Sequence, residues 1–388
     1  MTALLVIIYL SFISLGLPDS LLGSAWPAIN ADLGVPLSYA GIISMIISGG
    51  TIISSLNSER IIKKAGTGLV TAASVLMTAL ALLGFGLSQN FWWFVLLAIP
   101  LGLGAGSVDA ALNNFVALHY EAKHMSWLHC FWGVGAAAGP VIMSFFLSNS
   151  QGWNKGYLVI SGIQFLLTVV LFITLPLWKK ANNSHNDLEV DKNTEPHKLS
   201  ELIRMAGAKE VLITFFCYCA LEVMSGLWGS SYLVEIRGIS VEVAAKIVSL
   251  FYFGITLGRF FSGFLTMKFD NKTLIRLGQG TILLGIIITV LPFGYITLVA
   301  GFTFIGLGCA PIYPSIIQET PNRFGKELSQ AFIGIQMAFA YIGSTFVPPL
   351  FGFIADNSSL GIFPVFLLLI LGIMALNSEI LNKQASKG

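Results

Sequence analysis

Two polar side chains one helical turn apart, Asp109 and Asn113, lie inside a long apolar run that begins near Phe91. Residues four positions apart share one face of a helix. A carboxylate and an amide on one face can bind the hydroxyl groups of a ligand, and the carboxylate can also take up and release a proton. The pair therefore predicts a site for a polar small molecule and a proton.

Three further stripes at helical spacing join an ionisable group to aromatic or small residues. They consist of Asp19, Gly23 and Trp26, of His129, Trp132 and Gly133, and of Tyr218, Glu222, Ser225 and Gly229. Aromatic faces stack on the C–H surface of a sugar ring, whereas carboxylates and amides bind its hydroxyls. Such a mixed lining favours a neutral polyol over a strongly charged ligand.

The ionisable and aromatic residues of these stripes are the candidate functional groups. We expect proton coupling at Asp19, Asp109 and Glu222. We expect substrate binding at Asn113, Trp26, His129, Trp132, Tyr218, Trp228, Tyr313, Gln318 and Gln336. Each residue also has a structural alternative, because buried acids can join helices by hydrogen bonds, tryptophans often serve packing alone, and Asp19 can stabilise a helix broken near Pro18.

The chain that positions these groups is far more apolar than a soluble protein. Of its 388 residues, 55% are hydrophobic and 10% are charged, whereas soluble domains carry roughly 25% charged residues. An ionisable residue in the bilayer core costs at least about 2.5–3.5 kcal/mol, so such residues are expected to face a cavity or a partner. The composition therefore predicts an all-α protein embedded in a lipid bilayer.

Each membrane span needs about 20 apolar residues, and twelve runs meet this requirement. They lie near 3–28, 38–58, 68–88, 91–118, 126–149, 156–178, 210–234, 242–266, 273–292, 294–318, 328–353 and 359–381. The polar segment 179–209 separates two sets of six, so it is expected to be a cytoplasmic linker between the halves 1–178 and 210–388. A short helix is expected at its end.

The distribution of lysine and arginine predicts the orientation of the spans. With the N-terminus inside, 18 of the 21 Lys and Arg residues fall on the inner side. The positive-inside rule then places both termini in the cytoplasm. Four tryptophans at predicted span ends are expected to anchor the chain at the membrane interface: Trp92, Trp93, Trp153 and Trp178.

The two halves resemble each other at an offset of 204 residues. The offset superimposes Gly34 on Gly238, Gly50 on Gly254, Lys64 on Lys268, 102–104 on 306–308 and Gly139 on Gly343. These matches sit at equivalent points of equivalent spans. Two six-span halves related by a parallel repeat are a known organisation of secondary transporters.

Five segments resemble the fucose-permease-like branch of the major facilitator superfamily. They are GLPDSLLGSAWPAI (16–29), DAALNNFVALH (109–119), SWLHCFWGVGAAAGP (126–140), LEVMSGLWGSSYLVE (221–235) and APIYPS (310–315). The resemblance covers essentially the whole chain. It implies the major facilitator fold, lipid-facing spans 3, 6, 9 and 12, and proton-coupled import of hexoses, deoxyhexoses or related polyols. It also implies that acids on spans 1 and 4, here Asp19 and Asp109, serve proton coupling and sugar recognition.

The same resemblance implies charged gates on the cytoplasmic side. The segment between spans 2 and 3, NSERIIKKAGTG (57–68), offers Glu59 and Arg60. The matching region at the end of span 8, GRFFSGFLTMKFD (258–270), offers Arg259 and Lys268.

Together these patterns predict a secondary active transporter, and not an enzyme, that takes up a sugar or related small polyol with protons by alternating access. We expect a monomer in the plasma or inner membrane whose partners are its substrate and lipid, with no cofactor, metal or nucleic acid. Sodium in place of the proton is left open.

Two other functions are compatible with parts of the sequence. An efflux antiporter of drugs or metabolites is one, because GAAAGP (135–140) resembles a motif of drug/proton antiporters. A membrane enzyme or sensor is the other. Its strongest hint is the group His119, His124 and His129, which lacks an acidic ligand cluster beyond Glu121.

Overall fold

The computed structural model describes residues 2–35, 39–148, 151–183, 199–239 and 241–385. Within these ranges every regular element is helical. Twelve helical segments of this described part are long and apolar enough to cross a bilayer. The predicted all-α membrane fold with twelve spans is thereby confirmed.

The helices of the first half follow one another with short connections. They are α1 (Thr2–Asp19), α2 (Leu21–Leu33), α3 (Tyr39–Leu56), α4 (Ser58–Ala65), α5 (Thr67–Leu87), α6 (Phe91–His119), α7 (Ala122–Ser148), α8 (Trp153–Ile173) and α9 (Leu175–Asn183). The first span runs through α1 and α2, from Ala3 to Trp26.

The second half contains α10 (Leu199–Leu202), α11 (Ala208–Glu235), α12 (Val241–Leu265), α13 (Asn271–Val290), α14 (Tyr295–Cys309), α15 (Ile312–Phe324), α16 (Ser329–Asp356) and α17 (Phe363–Ala385). A 3-10 turn, Leu360–Ile362, precedes α17. The tenth span runs through α14 and α15, from Tyr295 to Phe324. In the predicted linker 179–209, residues 184–198 lie outside the described ranges, and the short helix α10 lies near its end.

The described chain forms two compact units. The first unit comprises Met1–Leu118, Leu128–Pro196 and Lys326–Met337, and the second comprises His119–Trp127, His197–Gly325 and Ala338–Gly388. The helices α7 and α16 therefore each contribute residues to both units. The predicted boundaries 1–178, 179–209 and 210–388 stay a prediction.

The sequence repeat reappears as one helix contact in each unit. In the first unit Gly102 on α6 packs against the carbonyl oxygen of Ile47 on α3. In the second unit Gly306 on α14 packs against the carbonyl oxygen of Phe251 on α12. The offset of 204 relates Gly102 to Gly306 and Ile47 to Phe251. A Cβ atom would collide with the facing carbonyl, so close packing through small residues explains these glycines.

Pro18 and Gln164 together determine the backbone hydrogen bonding of the first span. Pro18 has no N–H group, so it leaves the carbonyl oxygen of Ser14 without its usual helical donor. The side chain of Gln164 on α8 donates a hydrogen bond of 2.9 Å to this oxygen and itself accepts one of 2.7 Å from Thr78. The helix is interrupted at Ser20, immediately after Asp19.

Ser20, which lies at this interruption, also compensates for the proline of α7. Pro140 leaves the carbonyl oxygen of Ala136 without a helical donor. The hydroxyl of Ser20 donates a hydrogen bond of 2.6 Å to that oxygen. At both Pro18 and Pro140 the lost hydrogen bond is thus replaced by a side chain from another helix, as buried backbone groups require.

Two of the four predicted interface tryptophans are buried instead. Trp92 and Trp93 are 73% and 54% exposed. Trp153 is 2% exposed and donates a hydrogen bond of 2.7 Å to Asp32, and Trp178 is 3% exposed and packs on Phe115. The anchor prediction was wrong for these two because position near a span end does not reveal which face of the helix a side chain occupies.

Candidate functional site

A chain of three buried polar side chains crosses from α6 to α7 in the first unit. Asn113 donates a hydrogen bond of 2.7 Å to the carboxylate of Asp109 and one of 3.0 Å to its backbone oxygen. The Nε2 atom of His129 lies 3.0 Å from the Oδ1 atom of Asn113. Asp109, Asn113 and His129 are 4%, 0% and 5% exposed. The predicted pair on α6 therefore exists and extends to the imidazole of α7.

A second acid lies where the first span is interrupted. The indole nitrogen of Trp132 donates a hydrogen bond of 2.8 Å to the carboxylate of Asp19. Asp19 also interacts electrostatically with Asp109. Since His129 and Trp132 are three residues apart on α7, one face of this helix serves both acids. We call Asp19, Asp109, Asn113, His129 and Trp132 the acidic cluster.

Small residues bring α1 and α7 close enough to build the acidic cluster. Gly16 packs against the backbone of Trp132, Gly135 against the carbonyl oxygen of Ile13, and Gly139 against that of Leu17. Any larger residue would meet backbone atoms of the other helix at these points. The glycines of GAAAGP therefore have a packing function in this structure.

The second unit contains a buried arginine. Arg259 on α12 is 3% exposed, and its Nη2 atom donates to the Glu222 carboxylate and to the Tyr218 hydroxyl, each at 3.4 Å. The ring of Tyr313 on α15 lies 5.9 Å from that of Tyr218. Burial of a guanidinium inside a span is costly unless it is paired or functional. We call Tyr218, Glu222, Arg259 and Tyr313 the arginine cluster.

The four candidate gate residues are divided between the two units. Arg259 lies inside the eighth span beside Glu222, whereas Lys268 is exposed beyond the end of α12. Glu59 is 6% exposed and forms an ion pair of 2.8 Å with Lys63, and Arg60 is exposed. Arg259 lies within its span, six residues before the end of α12, and its assignment as a gate residue stays a prediction.

Two of the three tryptophans proposed for substrate binding, Trp26 and Trp228, take part in packing. Trp26 is 3% exposed within a cluster of apolar side chains. Trp228 donates a hydrogen bond of 2.9 Å to the carbonyl oxygen of Pro348 and packs against Phe351, with a centroid distance of 5.6 Å. Their geometry agrees with the structural alternative.

The candidate glutamines also have defined places. Gln318 donates a hydrogen bond of 3.2 Å to the carbonyl oxygen of Tyr120, and Gln336 is completely buried. Beside Tyr120, Lys123 forms an ion pair of 2.8 Å with Glu121 and lowers the pKa of that carboxyl.

Sequence reasoning did not predict the polar contacts at the start of α16. The Ser329 hydroxyl donates a hydrogen bond of 2.6 Å to Asn114, and Gln330 donates one of 3.2 Å to Ser58. Phe12 was also missed, although its ring meets that of His129 edge-on with a centroid distance of 5.4 Å. The acid-rich stripes gave no signal for these residues, since none of them is ionisable.

Twelve spans with buried acids, amides and an arginine define a multi-pass membrane transporter. The chain belongs to the Major Facilitator Superfamily, whose family model matches residues 8–245 and 211–381. Its members are transporters and not enzymes, so the expected class is confirmed.

Several curated proteins are similar over most of their length. Bypass of stop codon protein 6 of Saccharomyces cerevisiae is 24% identical over 91% of this chain and 77% of its own. The glucose/mannose transporter GlcP of Bacillus subtilis is 22% identical over 94% and 92%. The hexuronate transporter of Bacillus subtilis is 25% identical over 88% and 85%.

Solved structures with the same fold include two sugar symporters. The E. coli fucose:proton symporter FucP superimposes with a TM-score of 0.80 over 97% of this chain and 98% of its own, at 17% identity. The proton:xylose symporter XylE gives 0.76 over 98% and 94%, at 12% identity. These likenesses show the fold. The roles of individual residues do not follow from them.

Proposed function

We propose that this transporter imports a sugar or related small polyol together with protons by alternating access. Asp19, Asp109 and Glu222 are the proposed proton-coupling groups. Among the proposed substrate-binding residues, two partly exposed aromatic groups belong to the polar clusters: Trp132 to the acidic cluster and Tyr313 to the arginine cluster. The proposed coupling ion is the proton, with sodium as the alternative to be tested.

The acidic cluster is the observation that carries this proposal. Its two interacting carboxylates, Asp19 and Asp109, lie within spans, where ionisable groups are functional by default. Their hydrogen-bond donors, Trp132 and Asn113, stabilise the ionised form of each acid. A proton arriving at either acid would remove a negative charge from a confined site, which is the electrostatic change that a proton-coupled step requires.

The names of the relatives support the choice of substrate and ion. GlcP carries glucose and mannose by name, FucP is named a fucose:proton symporter and XylE a proton:xylose symporter. Both the neutral monosaccharides and the coupling proton of the proposal are therefore found among proteins of the same fold.

Orientation and gating complete the proposal. The distribution of Lys and Arg supports the proposal that both termini lie in the cytoplasm. The chain is further proposed to act as a monomer in the plasma or inner membrane. Glu59, Arg60 and Lys268 are proposed to act at the cytoplasmic side. Because Arg259 forms an ion pair with Glu222, its proposed role is to balance the charge of that acid rather than to act as a gate.

Uptake by purified protein in proteoliposomes tests this function. Radiolabelled glucose, mannose, fucose, xylose and a sugar alcohol are offered under an inward proton gradient, under an inward sodium gradient and with neither. We expect at least one to accumulate only under the proton gradient. Accumulation driven only by sodium would refute proton coupling, and failure of every sugar together with proton-driven export of a dye substrate would favour the efflux antiporter.

A second candidate substrate is an acidic sugar, and the arginine cluster favours it. Arg259 and Glu222 contact each other at 3.4 Å, longer than the 2.7–2.9 Å of a strong charge-assisted hydrogen bond. Protonation of Glu222 would leave the guanidinium to bind a substrate carboxylate, so that one proton and one anion enter with no change in net charge. The hexuronate transporter among the relatives agrees with this candidate. Adding glucuronate to the panel separates it from a neutral sugar.

A further inference from the structure

The orientation of the Asn113 amide is fixed by its neighbours. One end of this amide lies 2.7 Å from the carboxylate of Asp109 and 3.0 Å from the backbone oxygen of the same residue. A backbone oxygen can only accept, so the atom that meets both oxygens must be the NH2 group. This orientation holds whether or not Asp109 carries a proton, because the backbone oxygen does not change.

The protonation of one nitrogen of His129 follows from this orientation. The other end of the Asn113 amide is its carbonyl oxygen, which accepts only. His129 reaches that oxygen with Nε2 at 3.0 Å. Nε2 must therefore carry a hydrogen and donate it, and the hydrogen bonds run in one direction from His129 through Asn113 to Asp109.

We infer that His129 is a positioning residue for Asp109 and not a substrate contact: it holds Asn113 in the orientation that stabilises the ionised carboxylate. This inference rests on the proposed function and assigns a regulator to its proton site. Asn113 has no exposed surface and His129 is 5% exposed, so this nitrogen is committed to the amide. A hydrogen bond accepted at the amide oxygen also polarises the NH2 group and strengthens its donation.

Several groups on neighbouring helices surround this chain of hydrogen bonds. Asp19 on α1 acts on Asp109 as a second acid. Phe12, also on α1, offers the ring of His129 an aromatic edge. On the neighbouring helices, α3 brings hydroxyl groups to Gly106, and α16 brings the Gln330 amide to within 3.5 Å of the Ala110 carbonyl oxygen. These are uncharged groups, whereas Asp19 is an acid whose effect on Asp109 is of opposite sign to that of a donor.

The experiment compares the pH dependence of uptake in His129→Met and His129→Gln. Methionine keeps the length and bulk but donates no hydrogen bond, whereas the glutamine amide can donate to Asn113. We expect His129→Met to move the midpoint of uptake against pH upward by roughly half to one pH unit, because the ionised form of Asp109 loses support. We expect His129→Gln to keep the wild-type midpoint, and KM for the sugar to stay within about twofold in both.

A background without the amide tests whether His129 acts through Asn113. In Asn113→Leu, the further change His129→Met should move the midpoint by less than about a fifth of a pH unit, since the route to Asp109 is already broken. His124→Leu is the matched control, because its ring lies against Tyr120 and Trp127 on the same helix. It should leave the midpoint unchanged.

Several results would overturn the inference while leaving the proposed function intact. One is a several-fold rise in KM in His129→Met with an unchanged midpoint, which would make His129 a substrate contact. Another is an equal shift in the presence and absence of Asn113. If His129→Met does not reach the membrane, His129→Leu takes its place with the same expected shift. A wild-type protein whose uptake ignores pH would instead refute the proposed proton coupling itself.

Discussion

Asn113 donates a hydrogen bond of 2.7 Å to the carboxylate of Asp109 from the next turn of the same helix. The Asp109 carboxylate thus has a hydrogen-bond donor within α6, and His129 on α7 forms a further hydrogen bond with Asn113. An acid supported by donors that do not change their own charge can gain or lose a proton without losing a salt-bridge partner. This arrangement suits a group that must cycle between two protonation states.

Replacing Asp109 by Asn tests its role in coupling. An amide at this position can still accept the hydrogen bond from Asn113 but cannot bind and release a proton. We expect Asp109→Asn to exchange labelled for unlabelled sugar at a rate within about tenfold of the wild type, and to lose proton-driven accumulation. Counterflow and gradient-driven uptake in the same proteoliposomes measure the two activities.

The control for this variant is Asp270→Asn, at an exposed acid that caps α13 by accepting a hydrogen bond of 2.9 Å from the Thr273 amide. Asparagine caps helices as well as aspartate does. This control should retain both exchange and accumulation. Accumulation by Asp109→Asn would show that another group carries the coupling proton.

Much of the fold follows from the sequence alone. Runs of about 20 apolar residues fix twelve spans, since each must satisfy its backbone within the bilayer. Helical spacing also predicts the contact between Asp109 and Asn113, because both partners lie on one helix. The offset of 204 predicts that Gly102 and Gly306 are equivalent, and each makes the equivalent helix contact in its own unit.

Contacts between helices are less accessible to sequence reasoning. Glu222 and Arg259 lie on different spans, and a stripe of polar residues does not say which neighbour it will meet. The same limit applies to Trp153 and Trp178, whose position near span ends fits both an interface anchor and a core residue. Which role applies depends on the rotation of each helix about its axis, which packing decides.

Gly16 is expected to be essential for the packing of α1 on α7. A methyl group at this position would meet the backbone carbonyl of Trp132 and lie 2.8 Å from the Ala136 nitrogen. Gly16→Ala should lower the free energy of unfolding by about 1–3 kcal/mol, as overpacking does. Gly23→Ala is the matched control, because no other atom lies within 4 Å of its added Cβ. Thermal unfolding in detergent should show a lower Tm only for Gly16→Ala.

The arginine cluster should behave as a coupled buried pair. Removing either Arg259 or Glu222 leaves the other charge without its partner, at a cost of about 3–5 kcal/mol. We therefore expect the double variant Glu222→Gln/Arg259→Gln to unfold at a higher temperature than either single variant. Arg276 and Glu379 form an exposed bidentate pair at 2.6 and 2.7 Å, and Arg276→Gln should leave the unfolding temperature nearly unchanged because exposed ion pairs contribute little. Additive losses in the double variant would mean that the two buried charges do not stabilise each other.

The hydrogen bond from Gln164 to the Ser14 carbonyl oxygen can be tested by removing its donor. Gln164→Leu removes the donor that replaces the hydrogen bond lost at Pro18, so the Ser14 carbonyl oxygen is left buried without one. The cost should be about 1–3 kcal/mol. Pro18→Ala restores a backbone N–H that can bond to Ser14 within the helix. In the Gln164→Leu background this second change should therefore recover stability, whereas in the wild-type background the position is already satisfied.

The double-mutant cycle separates this effect from the other loss in Gln164→Leu. The glutamine also accepts a hydrogen bond of 2.7 Å from Thr78, and that loss does not depend on Pro18. Thr78→Val is accordingly the control background, in which Pro18→Ala should have the same effect as in the wild type. Unfolding temperatures of the variants in one detergent give both coupling energies. Equal coupling in the two backgrounds would contradict the assignment, because only Gln164 reaches the carbonyl oxygen that Pro18 leaves without a donor.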